Sequence, residues 1–276
     1  LDFMPFAHQP PVAWHSDIAT ADYVGVVRQF HHVLYNANIG CDFVFPEDPD
    51  FSRYKVLIVP ALYVADEALL QKISDYVKEG GHVIMTFKSG FTNENNAVRW
   101  VRAPGPLRGA AGFSYQEFSN LEAPIPLKGD PYHAGDDNKV MYWAEFLMPD
   151  HAKALATYDH PFYGQWPAIT QNQFGSGTLT YEGTFLSNGL QKAVVLEVLK
   201  QAGLTGLAQQ LPPFVREKDG VGASGKKIHY FLNYSATPQT FAYAYGSGAD
   251  LLSGKSVASS DQITLQPWDL AIIEER

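Results

Sequence analysis

Residues Tyr54 to Phe87 read YKVLIVPALYVADEALLQKISDYVKEGGHVIMTF, and this stretch decides the fold. Val56 to Val59 and Val83 to Thr86 are short apolar runs rich in β-branched residues, bounded by Pro60 and by Gly80-Gly81. Such runs are expected of parallel strands covered on both faces. Between them Leu69, Leu70, Ile73, Tyr76 and Val77 recur at helical spacing. Asp66 is placed to cap the start of that helix and Gly80 to stop it. The stretch is therefore a βαβ unit.

In open α/β sheets, ligands and catalytic groups gather at the carboxyl ends of the strands. Here those positions read Pro60-Ala61-Leu62-Tyr63 and Phe87-Lys88-Ser89-Gly90. Neither holds a Gly-x-Cys or Gly-x-Ser-x-Gly nucleophile turn, a phosphate-cradling glycine loop or a GxGxxG fingerprint. The scaffold is enzyme-like without an announced enzyme site, so no catalytic, cofactor-binding or metal-binding residue is assigned and no cofactor is expected.

Upstream, Thr20 to Asn38 carries Tyr23, Val27, Phe30, Leu34 and Tyr35 on one helical face behind the cap-competent Thr20. Asp42 to Phe45 is a candidate strand with Cys41 at its entrance, where a small buried side chain is expected rather than a nucleophile. This order implies a further strand before Thr20, which Leu1 to Ala19 does not convincingly supply. The expectation is a chain cut from a longer parent.

Downstream, Lys88 to Asp137 is rich in Gly, Pro, Asn and Asp and reads as long loops with short elements. Met141 to Phe146 and Ala152 to Tyr158 are strand candidates. Ala168 to Phe174, Gly175-Ser176-Gly177 and Thr178 to Tyr181 form a hairpin. A helix from Leu190 to Gln201 follows, with Leu190, Val194, Val195, Val198 and Leu199 as its apolar face. Residues 204–213 read as a linker ending in Pro212-Pro213, and residues 214–276 as six short strand candidates of a small antiparallel β domain.

Composition bounds the rest. The 276 residues are 46% hydrophobic and 18% charged, an ordinary globular balance for one to two domains. A net charge of -9 and a pI near 5.4 argue against nucleic-acid and anionic-membrane partners. No apolar run approaches membrane-spanning length. The single cysteine rules out an internal disulfide and a cysteine-based zinc cluster. The compartment stays open, with the cytoplasm favoured.

Five phrases carry a resemblance: SGFTNENNAVRWVRAPGPLRGAAG, YWAEFLMPDHAKALATY, PAITQNQFGSGTLTYEGT, and FLNYSATPQTF followed by DLLSGK. In this order, and from Leu1 to Arg276, the chain closely resembles the non-barrel part of family 42 glycoside hydrolases, the bacterial β-galactosidases. The resemblance implies that residues 1–203 form a trimerisation domain of flavodoxin-like, class I glutamine amidotransferase-like three-layer α/β type. Residues 204–213 would be the linker and residues 214–276 the C-terminal antiparallel β domain. It further implies a homotrimer through the α/β domain and the catalytic barrel of the parent protein as a partner. The two catalytic glutamates of that family lie on an N-terminal (β/α)8 barrel, which alone needs about 250 residues. Neither is carried over here, and the chain by itself is expected to be inactive. A retaining mechanism needs two carboxyls about 5 Å apart, and adjacent pairs such as Asp136-Asp137 do not announce one.

Individual side chains give little chemistry. His31 and His32 are neighbours on a helix, so they diverge by about 100° and do not readily share a metal. His151 and Asp159-His160 lack a nucleophile beside them, and His160 precedes Pro161 in a turn. The polar loop after the second strand is the better candidate, as an interface or substrate-entrance loop carried by Phe91, Asn93, Glu94, Asn95 and Trp100. Trp143 alternates as a core strand residue would. The aromatic content also leaves open a carbohydrate-binding module, and the fold a stand-alone amidotransferase-like protein without a catalytic nucleophile.

Overall fold

The computed structural model describes residues 23–276. Thr20 and the segment searched for an additional strand lie outside the described residues. The described chain divides into two compact units. Residues 23–33 and 43–204 form an α/β unit, and Leu34–Asp42 joins Thr205–Arg276 in a β unit.

The α/β unit begins with α1 (Tyr23–Asn36), then β1 (Val56–Val59), α2 (Glu67–Lys78) and β2 (His82–Thr86). The short α3 (Arg108–Ala111), β3 (Phe113–Ser114) and β4 (Phe118–Asn120) follow. Next come β5 (Val140–Glu145), β6 (Met148–Pro149), β7 (Lys153–Thr157), β8 (Pro167–Phe174), β9 (Gly177–Glu182), β10 (Thr184–Leu186) and α4 (Asn188–Gln201). The main sheet has the order β1-β2-β9-β8-β7. β1, β2 and β9 run parallel, while β8 and β7 add antiparallel. A second, three-stranded sheet has the order β10-β5-β4.

The βαβ unit forms as its sequence dictates. Asp66 caps α2 by accepting the Leu69 N–H at 2.7 Å, and Leu69, Leu70, Ile73, Tyr76 and Val77 are buried. The helix stops at Gly80, whose φ of 116° suits glycine. Val83, Met85, Leu179 and Tyr181 alternate onto the face that packs against α2 and α3. Glu182 takes the opposite face and meets Gln191 of α4. The β8–β9 turn passes close to the end of α2: a Cβ on Gly175 would lie 2.2 Å from the Lys78 carbonyl oxygen, so this corner requires glycine.

Three expectations fail here, at least in part. Asp42 to Phe45 is not a strand. Phe43 and Phe45 are exposed, the Phe45 N–H turns to the Asp48 carboxylate at 2.8 Å, and His31 stacks on Phe43. Cys41, expected to be small and buried, is exposed because there is no strand to carry it inward. The buried face of α1 is also turned by one residue. Val26, Phe30 and Val33 are buried together with Gln29, whose amide donates to the Leu186 carbonyl and the Asn188 side chain.

The β unit contains β11 (Val215–Val221), β12 (Lys227–Asn233), β13 (Gln239–Ala242), β14 (Gly248–Asp250), β15 (Ser256–Val257), β16 (Gln262–Leu265) and β17 (Leu270–Glu275). Its five-stranded sheet has the order β11-β12-β17-β14-β15, β13 pairs with β16, and every pairing is antiparallel. Val215, Phe231, Phe241, Tyr243, Leu265, Ala271 and Ile273 fill its core. Residues 34–42 are held in this unit by Asn38, which is left-handed at φ 56°. The Asn38 side chain donates to the Ala208 carbonyl and accepts the Glu217 N–H.

Candidate functional site

Chemistry in this fold is sought where β1, β2 and β9 end. After β1, Ala61 turns left-handed at φ 37° and its N–H donates to the Thr86 hydroxyl at 2.6 Å. The Leu62 N–H donates to the Ser89 hydroxyl at 3.0 Å, and Ser89 donates in turn to the Thr86 carbonyl. After β2 the chain bends at Lys88 with φ 60°. A left-handed residue just beyond a central parallel strand is the position of the nucleophile in an elbow, but here Phe87 intervenes, no helix follows at once, and the side chain is an amine.

Lys88 is almost wholly buried, and its ammonium lies 4.0 Å from the centre of the Trp143 ring. Its backbone N–H donates to Glu145 Oε1 at 2.7 Å. Glu145, the last residue of β5, is fully buried and also accepts from Trp143 Nε1 at 3.2 Å and from the Tyr181 hydroxyl at 2.8 Å. Burial pushes the Glu145 carboxyl above the usual range, against the pull of these donors. Burial also lowers the Lys88 ammonium to about 8, against the pull of Glu145. β9 ends in a second buried carboxylate, Glu182, which accepts from the Gln191 amide at 2.8 Å and is pushed up to about 8 by burial.

An aromatic run leads outward from this cluster. Trp143 stacks on Phe118 at 4.3 Å, Phe118 meets Phe91 edge-on at 6.0 Å, and Phe91 stacks on Tyr63 at 5.4 Å. Trp143 is buried in the core and Phe118 is exposed. The structure thus joins Phe91 of the candidate loop to the cluster. Asn93 instead folds the loop on itself, its side-chain oxygen accepting the N–H groups of Asn95 and Ala97 at 3.0 Å each. Glu94 and Asn95 are exposed. Trp100 is fully solvent-exposed, with Val98 and Val101 also outward at about 60%.

The remaining candidates have structural roles. His160 accepts the N–H groups of Phe162 and Tyr163 through Nδ1 and so caps a turn. His31 and His32 have ring centres 6.3 Å apart. Among the described residues no group of three or more His, Cys, Asp or Glu side chains is placed to hold a metal ion. Lys88 and Glu145 were not anticipated as a cluster. The available signal was the Trp143-x-Glu145 alternation, which puts both side chains on one face of β5.

This is a mixed α/β unit with an antiparallel β unit, in which the elbow position carries neither a hydroxyl nor a thiol. Residues 7–205 match the family model of the β-galactosidase trimerisation domain, and the chain belongs to that family. It is 30% identical over 253 residues to β-galactosidase LacA of Lactobacillus acidophilus, covering 91% of this chain and 37% of that protein. It is 35% identical over 165 residues to β-galactosidase BgaB of a Geobacillus species, covering 59% of this chain and 24% of that protein. The solved β-galactosidase of Bacillus circulans sp. alkalophilus is similar with a TM-score of 0.80 at 27% identity, covering 92% of this chain and 38% of that one. The chain therefore spans little more than a third of the length of relatives that it matches along most of its own.

Proposed function

We propose that this chain is the non-catalytic trimerisation and C-terminal region of a β-galactosidase-like glycoside hydrolase. Its α/β unit, of flavodoxin-like and class I glutamine amidotransferase-like type, makes the homotrimer contacts. The β unit braces the catalytic barrel of the parent protein, with residues 204–213 as the linker. Hydrolysis of terminal β-D-galactosides belongs to the whole protein, and the chain alone is inactive.

The observation that carries this reading is Trp100, fully exposed two residues after Val98 and directly before Val101. Large exposed apolar side chains grouped in one loop mark a surface that a partner covers, and tryptophan is the commonest anchor of such contacts. Phe91, Asn93, Glu94 and Asn95 shape the same loop and form the rest of the contact or the entrance to a neighbour's substrate site. Sedimentation of the purified chain over a range of concentrations tests this. A trimer is expected, and Trp100→Ala should weaken assembly by about 2–4 kcal/mol. A wild-type chain that stays monomeric at every concentration, or turnover of a chromogenic β-galactoside by the chain itself, would refute the reading.

A further inference from the structure

A closed three-fold ring joins two different surfaces, because a heterologous interface sets one patch of each copy against another patch of the next. The Trp100 loop is only one of the two. The α/β unit must carry a second surface to receive it.

The connection from β7 to β8 builds one. His160 caps its turn, and Gln165 Nε2 donates to the Phe162 carbonyl at 3.1 Å. On this frame Trp166 stacks on Phe146 at 4.3 Å with 12° between the rings, and Phe162 stands edge-on to them at 5.5 Å and 6.1 Å. Tyr163 meets Phe146 at 5.8 Å, and its hydroxyl lies 3.1 Å from Ser119 Oγ. Phe146 is buried, yet Phe162 is 54% exposed. Packing thus fixes a platform of aromatic rings in advance and leaves part of it to solvent, the arrangement expected of an anchor site for a partner's aromatic side chain.

The charges are complementary. Arg102, directly after Val101, is exposed. The segments that carry and flank the platform, 115–122, 145–151 and 158–166, contain no lysine or arginine. Glu117, whose carbonyl accepts the Phe146 N–H at 3.0 Å, and Asp159 are exposed there, whereas Asp150 is already paired with Arg108. Two other exposed aromatic side chains are engaged: Phe118 braces Phe91 of the loop itself, and Phe43 stacks on His31.

Resting on the homotrimer proposed above, we propose that the Trp100 loop of one copy seats on the Phe146, Phe162 and Trp166 platform of the next, with Arg102 facing Glu117 and Asp159.

Sedimentation of the full chain tests this contact. Phe162→Ala should weaken the trimer about thirtyfold or more, as Trp100→Ala does. The two together should cost less than the product of their separate effects, because they delete one contact. An equimolar mixture of the two single variants retains one intact loop and one intact platform, so it should give a one-to-one heterodimer that neither variant forms alone. Arg102→Glu should weaken assembly, and Asp159→Arg in the same chain should restore part of it; this pair decides if Phe162→Ala does not fold. A wild-type chain that never trimerises would refute the homotrimer and this contact with it. A trimer that Trp100→Ala breaks and Phe162→Ala leaves intact, a mixture without heterodimer, or a charge swap without recovery would overturn the contact alone. So would lactose shifting the tryptophan fluorescence of the wild type and not of Phe162→Ala, which would give the platform to a sugar.

Discussion

Glu145 is the side chain on which the α/β unit most depends, and its replacement has a cost that can be worked out beforehand. Three buried donors converge on it: the Lys88 N–H, the Trp143 indole N–H and the Tyr181 hydroxyl. In Glu145→Ala the two N–H donors lose their acceptor at about 1–3 kcal/mol each. The tyrosine hydroxyl can rotate to seek another partner. The Lys88 ammonium also loses the charge that favours it; with its pKa already about 8, it can respond by giving up its proton. These effects overlap, and about 2–6 kcal/mol in total is expected, a fall of roughly 5–20 °C in the melting temperature of this unit.

Glu145→Gln separates charge from shape. Its amide oxygen can accept both N–H donors, its amide nitrogen can donate to a rotated Tyr181 hydroxyl, and only the negative charge is lost. The expected cost is about 1–2 kcal/mol. Lys88→Met with Glu145→Leu removes both charged groups but still strands the Lys88 and Trp143 N–H donors, so it should recover only part of the loss from Glu145→Ala. Urea unfolding followed by near-ultraviolet circular dichroism gives all four values. If Glu145→Ala falls within about 1 kcal/mol of the wild type, or if Glu145→Gln is equally damaging, the carboxylate is not the organising acceptor described here.

Glu182, pushed up to about 8 by burial from an ordinary 4.5, binds its proton more tightly folded than unfolded. Its contribution is thus fully present below the ordinary glutamate range and lost as pH rises through about 8. Melting temperatures of the α/β unit should fall across that window, and Glu182→Gln should flatten the profile. Asp66→Ala removes the cap of α2 and should cost about 1 kcal/mol in the same urea titration. Trp100→Ala should leave the unfolding free energy of the monomeric chain, measured below the concentration at which it assembles, within about 0.5 kcal/mol, since the indole touches solvent and not the core.

The βαβ unit was legible because its signals are local: β1 and β2 are continuous apolar runs, and α2 carries its cap and its stop within the same stretch. Most of the antiparallel β unit was legible for the same reason, although β15 was not anticipated and β14 lies two residues before the expected Asp250 to Leu252. Asp42 to Phe45 misled because an alternating D-F-V-F pattern reads as a strand whether or not another strand lies beside it. The one-residue turn of α1 was hidden because Gln29 is drawn inward by Leu186 and Asn188, more than 150 residues away. Lys88 failed for a related reason. A lysine in a loop reads as solvated, and the Trp143 and Glu145 side chains that it meets lie on β5, more than 50 residues on.

The elbow at Lys88 bears on why this unit suits assembly rather than catalysis. An elbow in a hydrolase works because backbone N–H groups beside the nucleophile are left free to receive a developing oxyanion. Here four of the N–H groups around the elbow already have partners within the unit. The Ala61 N–H goes to Thr86, the Leu62 N–H to Ser89, the Lys88 N–H to Glu145 and the Gly90 N–H to the Leu62 carbonyl. A substrate oxygen aimed at any of these four would have to break one bond to gain another of the same kind, with no net gain in free energy. The exposed apolar side chains Val98, Trp100 and Val101 face the opposite balance, because each gains by leaving water. The strand ends are thus largely tied up by internal hydrogen bonds, and the loop they hold out is one part of the unit with free energy still to gain from a partner.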